Sequence, residues 1–173
     1  MTAQYVIIGL IAGIIIGWIL GEFSLKKRIA AHKRERQIRK RERQRKLLDN
    51  FRVEVKNNTI RLKKELKRIA LSKQLAPIEL LFKHYNKRLC RVADNEVLQV
   101  LQDFYKELTA LLSANEIIID FSEKNIQPNE KLEAEVIALF YNSMSAMIIR
   151  RIEKLVETGT VIVSILEEKI GEM

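Results

Sequence analysis

Residues 132–170, LEAEVIALFYNSMSAMIIRRIEKLVETGTVIVSILEEKI, decide the fold class. Leu132, Val136, Leu139, Phe140, Met144, Met147, Ile148, Ile152, Leu155 and Val156 recur in steps of three and four, which places them on one face of an α-helix. The stripe resumes after Gly159 with Ile162, Val163, Leu166 and Ile170, so the helix either stops at that glycine or runs through it. An apolar face of this length needs other helices to cover it.

Those helices lie upstream. Val97, Leu98, Leu101, Phe104, Tyr105, Leu108, Leu111 and Leu112 keep the same spacing up to Asn115, behind Asp94, a residue type that caps helix N-termini. Pro77 suits the first turn of a helix, and Ile78, Leu81, Phe82, Tyr85, Leu89 and Val92 follow it at helical spacing. Ile117-Ile118-Ile119 is too short to classify, and the polar run Ser122–Asn129 with Pro128 reads as the main connection. Two prolines and six glycines in 173 residues favour long helices. The expectation is an all-α protein whose residues 76–173 form an antiparallel three- or four-helix bundle.

Little chemistry can be assembled from these residues. One Cys and two His exclude a disulfide framework and a four-ligand Cys/His zinc site. His84 and Cys90 stand six apart, off ligand spacing, and read as a partly exposed histidine and a core cysteine. Met144 and Met147, with Ser143 and Ser145, could form an adaptable binding surface, but helical spacing favours core packing for the two methionines. There is no glycine-rich phosphate loop in residues 76–173, where Gly159 and Gly171 are isolated. The expectation is a protein without catalytic residues, metal or cofactor, and so not an enzyme.

Charge divides the chain. The formal net charge is +9, yet residues 26–73 hold 20 Lys or Arg against five acids, whereas residues 74–173 hold 11 against 16. Within the basic segment, residues 33–39, KRERQIR, are followed at once by 40–46, KRERQRK, a repeat of seven that suits a helix. Glu35 and Glu42 precede Arg39 and Lys46 by four, the order that supports a helix. Ile38 is the one large apolar residue between Ile29 and Leu47, too little for a coiled-coil seam, so a solvated rod is expected. Lys26, Lys27, Arg28, Arg34, Arg36, Arg39, Arg41 and Arg43 are its candidate contacts to anionic lipid headgroups, an acidic protein or nucleic acid. No aromatic residue lies between Phe23 and Phe51 to stack on bases. From Leu47 the apolar steps return at Leu48, Phe51, Val55, Leu62, Leu66 and Ile69, interrupted by Asn57-Asn58-Thr59, and residues 24–75 are read as rod and amphipathic helix.

Residues 3–20 contain no charge, a length that crosses most of a hydrocarbon core about 30 Å thick. Tyr5 and Trp18 stand near its ends, and the cations begin just after it at Lys26. Residues 1–23 therefore read as a single-pass membrane anchor with its N-terminal side outward and the rest of the chain in the cytoplasm. Gly9, Gly13, Gly17 and Gly21 recur every fourth residue, a face on which two membrane helices can approach closely, and so a candidate homo-oligomer seam.

Tyr5, Ile8-Gly9-Leu10 and Gly13-Ile14-Ile15-Ile16-Gly17 carry a resemblance. Over residues 1–23 the chain resembles the start of the bacterial YhcB/ZapG family, inner-membrane proteins tied to cell division and envelope synthesis. The resemblance implies a bacterial inner-membrane address and a scaffold-like architecture, and transfers no functional residue. The expected function is a membrane-anchored scaffold or assembly protein whose helical domain binds a protein partner, with a membrane-tethered nucleic-acid binder as the alternative.

Overall fold

The computed structural model describes the backbone of residues 2–72, 74–124 and 131–173, and the side chains of 18, 21, 22, 24–72, 74–85, 88–124 and 135–173. Every regular element among the described residues is helical. Helix α1 spans Thr2–Ser72, α2 is the single turn Tyr85–Arg88 followed by a 3-10 turn at Leu89–Arg91, α3 spans Asn95–Lys124 and α4 spans Lys131–Gly171. No Gly or Pro falls between Gly21 and Pro77, so nothing in that interval breaks α1.

The chain divides into two units, Met1–Arg43 and Gln44–Met173. In the first, residues 24–43 are exposed throughout. The apolar run 3–20, with Gly9, Gly13 and Gly17, lies outside the described side chains except at Trp18, which is exposed. Among the described residues no helix is long and apolar enough to cross a membrane.

The second unit starts about thirty residues ahead of the boundary expected at 76, because the end of α1 is part of its core. Leu48, Phe51, Val55, Leu62 and Ile69 are buried together with Val97, Leu101, Phe104, Leu108, Leu111 and Ile118 of α3 and Ile148, Ile152, Ile162 and Leu166 of α4. Contacts fix the helix directions. Arg52 pairs with Glu167 and Thr59 lies against Gly159, so α1 and α4 are antiparallel. Phe104 also lies against Gly159 and Phe121 against Phe140, so α3 and α4 are antiparallel as well. Consequently α1 and α3 run parallel, and the chain between them must return along the bundle.

That return is where the structure overturns the sequence reading. Residues 74–82 are not helical; they form an extended strap that leads into α2 and the 3-10 turn. The strap takes the place of the second helix of an up-down-up-down bundle. Two further expectations are corrected. Helix α3 does not end near Asn115 but continues to Lys124, because Asn115 and Ile118 both lie on its buried face. Cys90, expected in the core, is exposed in the 3-10 turn. At Gly159, where two outcomes were open, α4 runs on to Gly171.

Capping follows the sequence at α3. Asp94 Oδ1 accepts from the backbone N–H groups of Glu96 at 3.0 Å and Val97 at 3.1 Å, satisfying two of the donors that a helix start leaves free.

Candidate functional site

Two sets of residues need an account: the buried polar groups that hold the strap, and the charged surfaces that face solvent.

Among the described residues, the buried polar side chains of the second unit are Glu54, Asn58 and Thr59 on α1 and Asn115 on α3. A segment outside helix and sheet must find other partners for its N–H and C=O groups, and Glu54, Asn58 and Asn115 supply several of them. Thr59 Oγ1 instead donates to Val55 O of its own helix, and Asn115 Oδ1 is buried with no hydrogen-bond partner among the described residues. Asn58 Nδ2 donates to Leu81 O at 2.8 Å while its Oδ1 accepts from Leu81 N at 2.7 Å, which reproduces both bonds of a β-ladder pair. Asn115 Nδ2 donates to Ala76 O at 2.9 Å. Glu54 accepts from His84 N at 2.7 Å and Tyr85 N at 3.4 Å. Elsewhere along the strap Tyr141 Oη accepts from Leu75 N and Arg61 donates to Glu79 O, and beyond α2 Gln44 donates to Arg91 O and accepts from Ala93 N. Each partner belongs to a helix face turned toward the strap.

Glu54 has a third donor, the hydroxyl of Tyr105 at 2.7 Å. Tyr85 stacks on Tyr105 with ring centroids 4.4 Å apart, and Phe51, Phe82 and Phe104 pack edgewise or tilted around the same ring. Burial pushes the Tyr105 hydroxyl well above its ordinary pKa of 10.0, and its hydrogen bond to Glu54 adds to the effect. A carboxylate engaged by two backbone N–H groups and a phenol hydroxyl acts as a structural clamp.

Among the described residues, no group of three His, Cys, Asp or Glu could hold a metal ion. His84 is half-buried, with its ring 6.2 Å from that of Phe51, and the exposed Cys90 lies beyond α2 in the 3-10 turn.

The cations singled out in the sequence lie on α1. Lys26 pairs with Glu22 at 2.9 Å and Arg39 with Glu35. Lys27, Arg28, Arg34, Arg36, Arg41 and Arg43 are in no ion pair among the described residues, and Glu42 does not meet Lys46. At 100° per residue these positions encircle the helix, so no apolar side remains to lie in a membrane plane. Gly21 is exposed, and a Cβ built there meets nothing within 4 Å.

A surface that sequence reading did not single out lies between α3 and α4. A groove of about 290 Å³ is lined by Val100, Asp103, Phe104 and Glu107 on one side and Arg151, Lys154, Leu155 and Thr158 on the other. Along α4 a second depression of about 450 Å³ adds Ser143, Ala146, Met147 and Arg150. The sequence signal was the Arg150-Arg151 pair with Lys154, three closely spaced cations inside the net-acidic residues 74–173.

No family model, curated protein or solved structure matches the chain.

Proposed function

We propose that the chain is a single-pass membrane-anchored scaffold or assembly protein, with residues 3–20 in the bilayer and the helical unit Gln44–Met173 presented in the cytoplasm to a protein partner. The support is a three-part order: an uncharged run of membrane-spanning length, a strongly basic exposed segment immediately after it, and a folded unit in which Glu54, Asn58 and Asn115 hold the chain that returns between α1 and α3. Cations just after the span set its orientation and meet anionic headgroups, each contributing about 1 kcal/mol near the surface. The likeness of residues 1–23 to the YhcB/ZapG family points the same way, to a bacterial inner membrane. The Gly9, Gly13, Gly17 and Gly21 face is the proposed contact between copies within the bilayer. No reaction is assigned to the protein.

One observation favours a second reading. Lys27, Arg28, Arg34, Arg36, Arg41 and Arg43 are exposed and in no ion pair among the described residues, which leaves them open to phosphate. A single set of full-chain variants separates the two. Under the scaffold reading the protein pellets with membranes after alkaline carbonate washing, and replacing Arg34, Arg36, Arg41 and Arg43 with Gln leaves partner capture in mild detergent intact. Tight, salt-dependent RNA or DNA binding that the same changes abolish together with function would favour the tethered nucleic-acid binder.

A further inference from the structure

The groove between α3 and α4 has acids on one wall, Asp103 and Glu107, and cations on the other, Arg151 and Lys154. Asp103 accepts from Gln99, but no ion pair among the described residues crosses the groove or engages Glu107, Arg151 or Lys154. Both flanks continue as exposed apolar surface toward the other end of the unit. On α3, Ile117 is 67% exposed, beyond the small Ala110 and Ala114; on α4, Leu139 is 70% exposed. Isolated apolar residues at a surface are ordinary, whereas a stripe aligned with a split charge pattern has the form of an interface.

The charge split selects the occupant. A phosphate or nucleic acid drawn to Arg151 and Lys154 would be repelled by Asp103 and Glu107, and a polycation would meet the reverse conflict. The surface that fits must carry acids opposite the cations and cations opposite the acids, and this chain carries that surface itself. We propose that the α3/α4 flank is the seam of a homodimer whose twofold axis runs parallel to the helices. This axis lays α4 of each copy over α3 of the other at the same level. Arg151 and Lys154 then face Asp103 and Glu107 of the second copy twice, while Leu139 and Ile117 meet at the apolar end. A twofold across the helices would instead set α4 on α4, cation against cation. The parallel arrangement also leaves both Gln44 ends together, as two chains anchored in one bilayer require, although the seam depends on Gln44–Met173 alone.

Energy transfer between full-length chains in mild detergent tests the seam, with donor or acceptor dye on the exposed Cys90, the sole cysteine. The wild type should show transfer that falls with added salt. Arg151→Glu with Lys154→Glu should weaken association at least tenfold, and so should Asp103→Lys with Glu107→Lys. Mixed together, these two non-associating variants should regain transfer, because both half-seams of the mixed dimer pair opposite charges. Absence of transfer in the wild type, transfer indifferent to the charge reversals, or loss in both variants without recovery on mixing would each overturn the proposal. Loss of transfer only on Gly13→Leu with Gly17→Leu would assign association to the glycine face and likewise overturn it.

Discussion

Tyr105 on α3 donates its hydroxyl hydrogen to Glu54 on α1 across 2.7 Å, inside a cluster of aromatic rings, and the same carboxylate holds the backbone of His84 and Tyr85. One side chain thus joins two long helices and the strap between them. Glu54→Ala would leave the buried Tyr105 hydroxyl and the half-buried N–H groups of His84 and Tyr85 without this acceptor and should cost about 2–3 kcal/mol, read as a lower urea midpoint. Tyr105→Phe removes one donor and should cost about 1–3 kcal/mol. The double variant should cost less than the sum, because the two residues act on one another. Strict additivity would show that the contact carries no energy.

The same pair sets an alkaline limit. Tyr105 has a folded-state pKa raised above its ordinary 10.0, so the neutral phenol contributes in full below pH 10.0. That contribution falls as pH rises beyond 10.0 toward the raised value, because the unfolded chain ionises first. Denaturation midpoints across this range should therefore drop more steeply for the wild type than for Tyr105→Phe. Equal slopes would remove Tyr105 as the cause.

Asn58→Ala should release the strap at Leu81. Both backbone groups of Leu81 lose their partner, and a cost of about 2 kcal/mol is expected, with faster amide exchange at Leu81 than in the middle of α3. Asn58→Asp retains the acceptor for Leu81 N but sets a carboxylate against Leu81 O, and should be no better than Ala. Unchanged exchange at Leu81 in either variant would contradict the clamp.

These residues also show what the sequence could and could not reveal. The stripes through Leu48–Ile69, Val97–Leu112 and Ile148–Leu166 are legible because each helix is specified by its own periodicity. The strap was misread because Ile78, Leu81, Phe82, Tyr85, Leu89 and Val92 are spaced as a helix would space them, and all but Val92, which is buried, are half-buried. What keeps its first residues out of a helix lies far away in the chain, at Asn58 and Asn115, which hold Leu81 and Ala76. Asn57-Asn58-Thr59 looked like an interruption of a stripe, yet Asn58 and Thr59 occupy core positions of that stripe. Polar residues at apolar register were the available signal.

Gly159 illustrates the same dependence on partners. A Cβ there would collide with Thr59 Oγ1 and stand 3.2 Å from Phe104 Cε2, so the glycine lets α1 and α3 approach α4 closely. Gly159→Ala should lower stability by about 1–3 kcal/mol, the overpacking outweighing the gain in helix propensity. Combining it with Thr59→Ala should recover part of that loss. Gly21→Ala, with nothing within 4 Å, should leave the thermal midpoint of Gln44–Met173 unmoved.

The most direct test of the proposal that the chain is membrane-anchored with its helical unit in the cytoplasm uses the exposed Cys90 of the full chain. Right-side-out and inverted vesicles prepared from expressing bacteria are treated with a membrane-impermeant maleimide. The account predicts that Cys90 remains unlabelled in right-side-out vesicles and becomes labelled in inverted ones, with the protein retained in the membrane after carbonate washing. Labelling in right-side-out vesicles, or recovery of the full chain in the soluble fraction, would contradict it.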